Sequence, residues 1–511
     1  MAPDKHSGLA PDVSDQTDDL SYARAHSGKS APGFEEFSVA APTPRMSTIK
    51  MLLILALKLG YMARHLDVCS AFSTAPLDSA HPILVRMPDK GTKYAGKLAL
   101  LLMSLYGLRS APSNWSQLFR NWLVAHGWTR SSYDPCLYTK TVGTHLCMLC
   151  HWIDDVLHVG PADTCDAFVN DIDSSKGGTF DITDMGEAQR FMGIEIERTC
   201  DQMLLNQQDL IKSLIEKVGL KQSAGARLPM SSKRLTKQDC AFVKNDSGEL
   251  VHDPSMKKYP FRMVVGVCLW LLHTRPDCAF AVKELSRYCS NYGLAHWNAA
   301  RRLCDYLLRT QDLKLRFTRK GGLELKCFCD ADYNGSADER LSTTAWITYL
   351  GDCPWNWCSR SQKFASKSVG EAEYGSLSSA TCELLYLRQL LISLDFDQKA
   401  VDIMGPAEAE DIMRGAREGP KYPDSTVYSD STTAIANGKL PVGWLNERLK
   451  HCQNHFHVVR QYIAMGWVRL RHVPSLHNPS DALSKPFDSA DKWQQLVKLL
   501  LGHSDTFSSE T

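Results

Sequence analysis

Two adjacent aspartates, Asp154 and Asp155, interrupt the otherwise core-like stretch HLCMLCHWIDDVLHVG, residues 145–160. Like charges side by side in apolar surroundings are costly unless something positive sits between them. A divalent cation meets that need. A two-metal phosphoryl-transfer site gathers three or four carboxylates around cations roughly 3.5–4 Å apart, which stabilise the attacking and leaving oxygens. Hard oxygen ligands suit Mg2+ or Mn2+. Asp67, closing the strand-like RHLDV, is the natural third member, with an aromatic, Phe72, five residues further on. The dipeptide alone carries little weight, because Asp18 and Asp19 repeat it in a polar tail where a solvated turn accounts for it.

A second set lies in the C-terminal half. Asp330 falls in LKCFCDADY, Glu371 and Glu373 open EAEYGSLSSATCELLYLRQLL, Asp430 ends TVYSD, and Asp481 begins the helix in NPSDALSKP. Acids at strand ends and helix starts of one α/β unit can meet at one sheet edge. Singly, each is better explained as a helix cap or a dipole-favoured first-turn acid. The run CMLCH, Cys147–His151, matches the covalent haem attachment spacing. It lies in a predicted strand, where successive side chains face opposite ways, and the other cysteines are too scattered for a zinc site.

The elements that must position these acids follow from periodicity and turn chemistry. A helix is predicted from near Ser47, a candidate N-cap, through MLLILALKL to Gly60; it is apolar nearly all round and therefore buried. YMARHLDV predicts a strand ending near Asp67, residues 114–128 an amphipathic helix, and SYDPCLYTK and residues 145–160 strands broken by turn residues, two of which meet in a hairpin with the aspartate pair at its tight turn. Residues 162–176 and 206–218 are expected helical, 222–258 a polar connector, and 259–310 helical. From Gly322 the expected order is strand 325–333, strand 343–350, strand 354–358, helix 370–394, strand 426–430, helix, strand 467–473, helix. That is an α/β unit of mixed sheet and helices.

Composition sets outer limits. The 511 residues correspond to about three domains. A hydrophobic content of 44% with 23% charged residues is ordinary for a globular chain with ample core. Net charge is +1, so any nucleic-acid contact must come from local patches; residues 283–320 hold nine Lys/Arg against three Asp/Glu. Seventeen scattered cysteines argue against a disulfide framework and for a reducing compartment. No signal peptide is visible, and the longest apolar run, Met51–Leu57, is far short of a membrane span. An intracellular protein, cytoplasmic or nuclear, is expected.

Taken in order, these stretches resemble the reverse transcriptase and ribonuclease H portion of a copia-type LTR retrotransposon Pol polyprotein. HLDVCSAF is similar to the family's first catalytic-aspartate motif, SLYGLRSAPSNW to LYGLKQAPRAW, WIDDVLHVG to YVDDLLITG, and DMGEAQRFMGIEI to DLGEAKYFLGIEI. HTRPDCAFAVKELSRY and HWNAARRLCDYL resemble the connecting region. DADYNG, SVGEAEYGSLSSA, YSDSTTAIA and HVPSLHNPSDALSKP resemble the ribonuclease H module. The resemblance covers roughly residues 34–487.

It implies an α/β and α+β multidomain chain: a right-hand polymerase palm with truncated fingers, a helical connection, and a ribonuclease H-like mixed-sheet domain. The expected divisions are a disordered tail at 1–33, reverse transcriptase at 34–222, connection at 223–320, ribonuclease H-like domain at 321–487, and a C-terminal helix and tail at 488–511. Asp67, Asp154 and Asp155 would hold two Mg2+ (or Mn2+) ions for polymerisation, and Asp330, Glu373, Asp430 and Asp481 two more for hybrid cleavage. Glu373 is preferred to Glu371 because YGSL follows it. Phe72 would be the gate against ribonucleotides, and Lys450–Arg460 would contact the hybrid. Partners would be an RNA template, a DNA primer, an RNA–DNA hybrid and dNTPs, with no membrane. Three positions depart from the family: Ser110 stands for Gln beside the nucleotide, Cys69 for Lys, and Trp152 for the Tyr of YVDD. With no counterpart of the basic fingers segment in residues 1–33, ribonuclease H activity alone, or a non-catalytic nucleic-acid-binding relic, are the alternatives.

Overall fold

A computed structural model describes residues 41–77, 82–87, 93–394, 425–442 and 454–503. The expected tail at 1–33 and the segment from Lys450 to Gln453 lie outside them. The described chain divides into two compact units: one takes in residues up to Ile49 and Tyr61–Ala188, the other Lys50–Gly60 and everything from Gln189.

Helix α1 (Met46–Leu59) ends at Gly60, whose φ of 71° lies in the left-handed region that glycine reaches without a Cβ penalty. Residues Met51–Leu57 are almost wholly buried, as an all-round apolar helix requires. Ser47 is not the cap. The helix starts one residue earlier, and Asp134, far away in sequence, supplies the capping oxygen: its Oδ2 accepts from Arg45 N–H (3.0 Å) and Thr48 Oγ1 (2.5 Å).

The first unit is built on a six-stranded antiparallel sheet. Its strands are β1 (Met62–Val68), β4 (Thr129–Arg130), β5 (Leu137–Val142), β6 (His145–Trp152), β7 (Asp155–Gly160) and β8 (Ile182–Glu187), in the order β4-β5-β6-β7-β1-β8. A short helix α2 (Ala71–Thr74), the β2–β3 hairpin (Ile83–Arg86, Leu98–Leu101), α3 (Ala111–Ala125) and α4 (Ala162–Ile172) connect them. Trp115, Phe119, Trp122 and Leu123 recur at helical spacing on α3. They pack with Phe168, Val169 and Ile172 of α4 against Leu66, Val68, Leu149 and Val156 of the sheet. Burying a side chain such as Phe119 contributes on the order of 1.5–3 kcal/mol. Helix α3 starts three residues before the predicted Asn114, because Pro112 supplies a preset φ in its first turn.

The second unit contains a four-stranded sheet, β14-β11-β10-β9 (Leu315–Thr318, Gln202–Asn206, Ile194–Arg198, Arg190–Phe191), with α5 (Gln208–Val218). The predicted connector at 222–258 is largely irregular, with one hairpin, β12 (Phe242–Lys244) and β13 (Leu250–His252). Helices α6 (Phe261–Leu271), α7 (Ala279–Ser286) and α8 (Leu294–Arg309) follow.

The last five strands form a mixed sheet of order β17-β16-β15-β18-β19: β15 (Leu325–Asp332), β16 (Thr343–Leu350), β17 (Cys353–Ser361), β18 (Ser425–Ser429) and β19 (Arg469–His472). The first three pair antiparallel, whereas β18 runs parallel to both β15 and β19. Parallel neighbours need a crossover, and the long α9 (Val369–Ile392), lying between β17 and β18 in sequence, packs on β15 and β16. Helices α10 (Thr432–Gly438), α11 (Asn454–Ala464), α12 (Asp481–Ser484) and α13 (Ala490–Leu500) complete the unit. The architecture is thus mixed α/β with several sheets. No helix among the described residues is long and apolar enough to cross a membrane.

Candidate active sites

In the first unit, register brings the predicted aspartates to one end of the sheet. Asp67 on β1 sits directly opposite Asp155 at the start of β7, and Asp154 occupies the two-residue turn joining β6 to β7. Like charges directly opposite each other are destabilising, so the turn needs other restraints. Val68 N–H donates to the Asp154 carbonyl (3.0 Å), and the buried Trp115 indole N–H donates to the Ile153 carbonyl (2.6 Å). Ile153 has φ of 59°. For a β-branched residue this is a strained conformation, of the kind that persists only where the surroundings over-determine it.

All three aspartates are half-buried. Burial raises the Asp67 pKa above the carboxylate norm, reinforced by Asp154 and Asp155. Burial and the neighbouring Asp155 likewise raise that of Asp154. Asp155 has a donor instead: His65, two residues before Asp67 on the same strand face, places Nε2 2.9 Å from its Oδ1.

Phe72 lies on α2, partly buried against the core, its ring centroid 4.8 Å from that of the exposed Tyr106. Ser110 is the N-cap residue of α3, makes no side-chain cap bond, and its carbonyl accepts from Asn114 N–H (2.9 Å). Cys69 Sγ lies 3.4 Å from Thr183 Oγ1. Cys147 and Cys150 are buried in β6 as core side chains, and the described cysteines are all free.

In the second unit the parallel pairing of β15 with β18 decides the geometry. Cys329 pairs with Ser429, so the next residues, Asp330 and Asp430, emerge at the same sheet edge. Asp481 opens α12 beside them. One ligand oxygen from each of these three acids lies within 4.8 Å of the others, the one such grouping among the described residues. Asp67, Asp154 and Asp155 are not gathered so tightly.

Glu373 joins the second cluster from α9. Ser376, one helical turn further along, donates to the Asp330 carbonyl (2.6 Å) and clamps that face of α9 to β15. The choice between the two glutamates has a structural counterpart. Glu371 Oε2 accepts from Lys367 N–H (2.8 Å) while Ser368 Oγ accepts from Glu371 N–H (3.2 Å), so this acid is consumed in capping α9. Glu373 is 6% exposed, and its Oε2 has no hydrogen-bond partner.

Burial, then Asp330 and Asp430, push the Glu373 pKa well above the carboxylate range. Asp330 is raised by burial first and Asp481 next, and Asp481 by burial first and Asp430 next. Donors cover the other three acids. Ser475 Oγ donates to Asp430 Oδ2 (2.6 Å), Ser484 Oγ to Asp330 Oδ2, and Lys485 Nζ to Asp481 Oδ1 (3.1 Å). Asn478 holds the loop before Asp481 by donating to the Cys329 carbonyl (3.1 Å).

Oxygen-only donors, three of them converging and a fourth left bare, fit a hard divalent cation. Sequence reasoning missed Trp115, His65, Ser475, Ser484 and Lys485. Of these only His65, two residues from Asp67 in a strand, and Lys485, four residues from Asp481, carried a spacing signal. Within the predicted hybrid-contacting segment, His457 Nδ1 lies 3.3 Å from Tyr374 Oη, and Arg460 Nε donates to the Asn437 carbonyl (3.0 Å).

Residues 22–232 match the family described as reverse transcriptase (RNA-dependent DNA polymerase). Over 463 residues, 89% of this chain, the sequence is 29% identical to the retrovirus-related Pol polyprotein from transposon TNT 1-94 of Nicotiana tabacum, covering 32% of that protein. The corresponding proteins from transposons RE2 and RE1 of Arabidopsis thaliana are each 28% identical, over 89% of this chain and 29% and 28% of their own lengths. The chain therefore spans about a third of the length of the curated relatives it matches. Residues 22–232 thus match the reverse transcriptase family, and the chain is similar over most of its length to the Pol polyproteins of copia-type transposons.

Proposed function

We propose that the chain is an RNA-directed DNA polymerase with a downstream ribonuclease H, each a phosphoryl-transfer site served by divalent metal. The observation that carries this reading is the convergence of acids at two separate sheet ends, Asp67/Asp154/Asp155 and Asp330/Glu373/Asp430/Asp481, each with carboxylates raised by burial and by one another. In this reading residues 34–222 are the palm and partial fingers, 223–320 the connection, and 321–487 the ribonuclease H-like domain. The mixed five-stranded sheet with its crossover helix supports the last assignment.

At the first site Asp67, Asp154 and Asp155 would hold Mg2+ or Mn2+, two ions per site. When bound, the metal lowers the barrier by stabilising the attacking and leaving oxygens. The chain's own part is positional. The β6–β7 turn, pinned by Val68 and Trp115, presents Asp154, and His65 orients Asp155. Phe72, backed by Tyr106, narrows the space on the sugar side so that dNTPs are preferred. The attacking group is a primer 3′-hydroxyl opposite an RNA template. At the second site the four acids would hold the same kind of ion, and water attacks the RNA strand of an RNA–DNA hybrid. The basic excess between Lys283 and Lys320 suits a nucleic-acid backbone. An intracellular compartment, where thiols stay reduced, agrees with the free cysteines.

A second reading, nuclease activity alone, is favoured by one observation: the second cluster converges to within 4.8 Å and the first does not. Primer extension on an RNA template with Mg2+ or Mn2+ separates the two. DNA synthesis that disappears in an Asp154→Asn/Asp155→Asn variant supports the polymerase. A folded protein that cleaves hybrid but extends nothing leaves the nuclease.

A further inference from the structure

The second cluster contains a cation of its own. Lys485 is the extended residue that follows α12, four positions after Asp481. Its Nζ lies 3.1 Å from Asp481 Oδ1 and 3.6 Å from Asp330 Oδ2. Lys492 stands 3.8 Å from the other oxygen of Asp481. Asp330 Oδ2 also accepts from Ser484. Asp330 and Asp481 are thus held together by a protein ammonium, while Glu373 Oε2, buried in the same cluster, faces no donor.

Resting on the reading of this cluster as a metal site, we propose that Lys485 is its internal counter-cation. It holds Asp330 and Asp481 together in the metal-free chain and competes with a divalent cation for the same oxygens, so metal loads only as Lys485 withdraws. Buried carboxylates this close cannot all stay charged without a positive partner. An ammonium serves that need in the absence of metal. It cannot share the oxygens with a divalent ion, because two cations 3–4 Å apart in a poorly solvated site repel strongly. Withdrawal is geometrically open: the Lys485 side chain is 38% exposed, on a flexible four-carbon stem at the rim, whereas Asp330 and Asp481 are buried beneath it. Lys485 is therefore a positioning residue whose substitution improves metal binding, the opposite of what loss of a ligand does.

The test is calorimetric titration of the full chain with Mn2+, counting the binding that disappears in Asp430→Asn, beside thermal melts with and without Mn2+. Lys485→Gln is expected to bind Mn2+ at this site at least tenfold more tightly, well within what removal of one unit charge about 4 Å away allows at an effective dielectric of about 20. Its metal-free melting temperature is expected to fall and to be restored by Mn2+. Lys485→Arg, still cationic, is expected to keep the wild-type affinity and metal-free stability. Lys485→Met retains the packing of the stem and carries the same expectation as Gln should that variant fold poorly. Unchanged or weaker Mn2+ binding in folded Lys485→Gln or Lys485→Met overturns the competition. Absence of any Asp430-dependent Mn2+ binding in wild type and variants alike overturns the metal-site reading itself.

Discussion

Replacing Glu373 by Gln tests the electrostatic description of the buried cluster without asking for catalysis. Glu373 is 6% exposed, has an unpartnered Oε2, and is held well above the normal carboxylate pKa by burial and by Asp330 and Asp430. Its folded pKa therefore exceeds its unfolded one. The stability it contributes is complete below the unfolded value of about 4.3 and is lost as pH rises toward the folded value. Glutamine has nearly the shape of the protonated acid and does not titrate. Near pH 4 the two proteins should be about equally stable. Each further pH unit costs the wild type up to about 1.36 kcal/mol, so by pH 7 the variant should lead by at most about 4 kcal/mol. Urea unfolding in EDTA at pH 4.5, 6 and 7.5 reads this difference directly. A gap that stays constant across these pH values would refute the reasoning, since it would mean that Glu373 titrates alike in both states. Added Mn2+ should then stabilise the wild type and leave Glu373→Gln nearly unmoved.

The two sites should separate by substitution. Asp430→Asn is expected to abolish hybrid cleavage and leave primer extension intact, and equal loss of both activities would reject the two-site assignment. Phe72→Ala should admit ribonucleotides in a misincorporation assay, whereas unchanged sugar discrimination would reject the gate. His151 is buried in β6 with neither ring nitrogen hydrogen-bonded, and burial drives its pKa down to about 4. Chemical denaturation of His151→Leu at pH 7 should show a gain of about 1–3 kcal/mol. Because a lowered histidine pKa costs the wild type stability as pH falls from about 6.5 toward 4, that lead should widen by about 2 kcal/mol at pH 5. Trp115→Phe keeps most of the ring but loses the donor to the Ile153 carbonyl. It should cost about 1 kcal/mol and lower primer extension more than hybrid cleavage.

Much of the architecture was legible because the relevant signals are local. Met51–Leu57 is apolar on every side and could only be buried, and the Asp154–Asp155 pair between two apolar runs marked a hairpin, although the turn itself is Ile153–Asp154 and Asp155 already opens β7. The strand at 343–350 was placed to the residue because all eight of its side chains are buried. What escaped detection depends on partners distant in sequence. Asp134 caps α1 from more than eighty residues away, so Ser47, the local candidate, was displaced. Trp115 reads as an ordinary core aromatic, and only the fold reveals that its indole N–H fixes the Ile153 carbonyl. The distinction between Glu371 and Glu373 rested on resemblance in the sequence. In the fold it has a physical basis, since one carboxylate is spent on the helix N-terminus and the other is buried with its Oε2 unpartnered.

The same problem, carboxylates forced together, is handled in two ways in this chain. At the β6–β7 turn the acids remain half-buried and reach solvent. Their repulsion is borne by backbone restraint, a strained Ile153 held by Trp115 and Val68, and by one imidazole on Asp155. At the β15–β18 edge three of the four acids, Asp330, Glu373 and Asp481, are driven into the interior, and Asp430 is half-buried. There restraint alone does not suffice, because desolvation multiplies every unpaired charge. That cluster carries two serine hydroxyls, a lysine lodged against Asp330 and Asp481, and a glutamate pushed toward its neutral form. On the proposed reading, the first site is open to a cation from solvent but depends on an intact turn. On the same reading, the second must release a proton and move a lysine to load metal. Metal dependence should accordingly be steeper in pH for hybrid cleavage than for primer extension, with cleavage rising toward alkaline pH. Parallel metal titrations of the two activities from pH 6 to 8.5 compare them directly, and identical pH profiles would contradict this division.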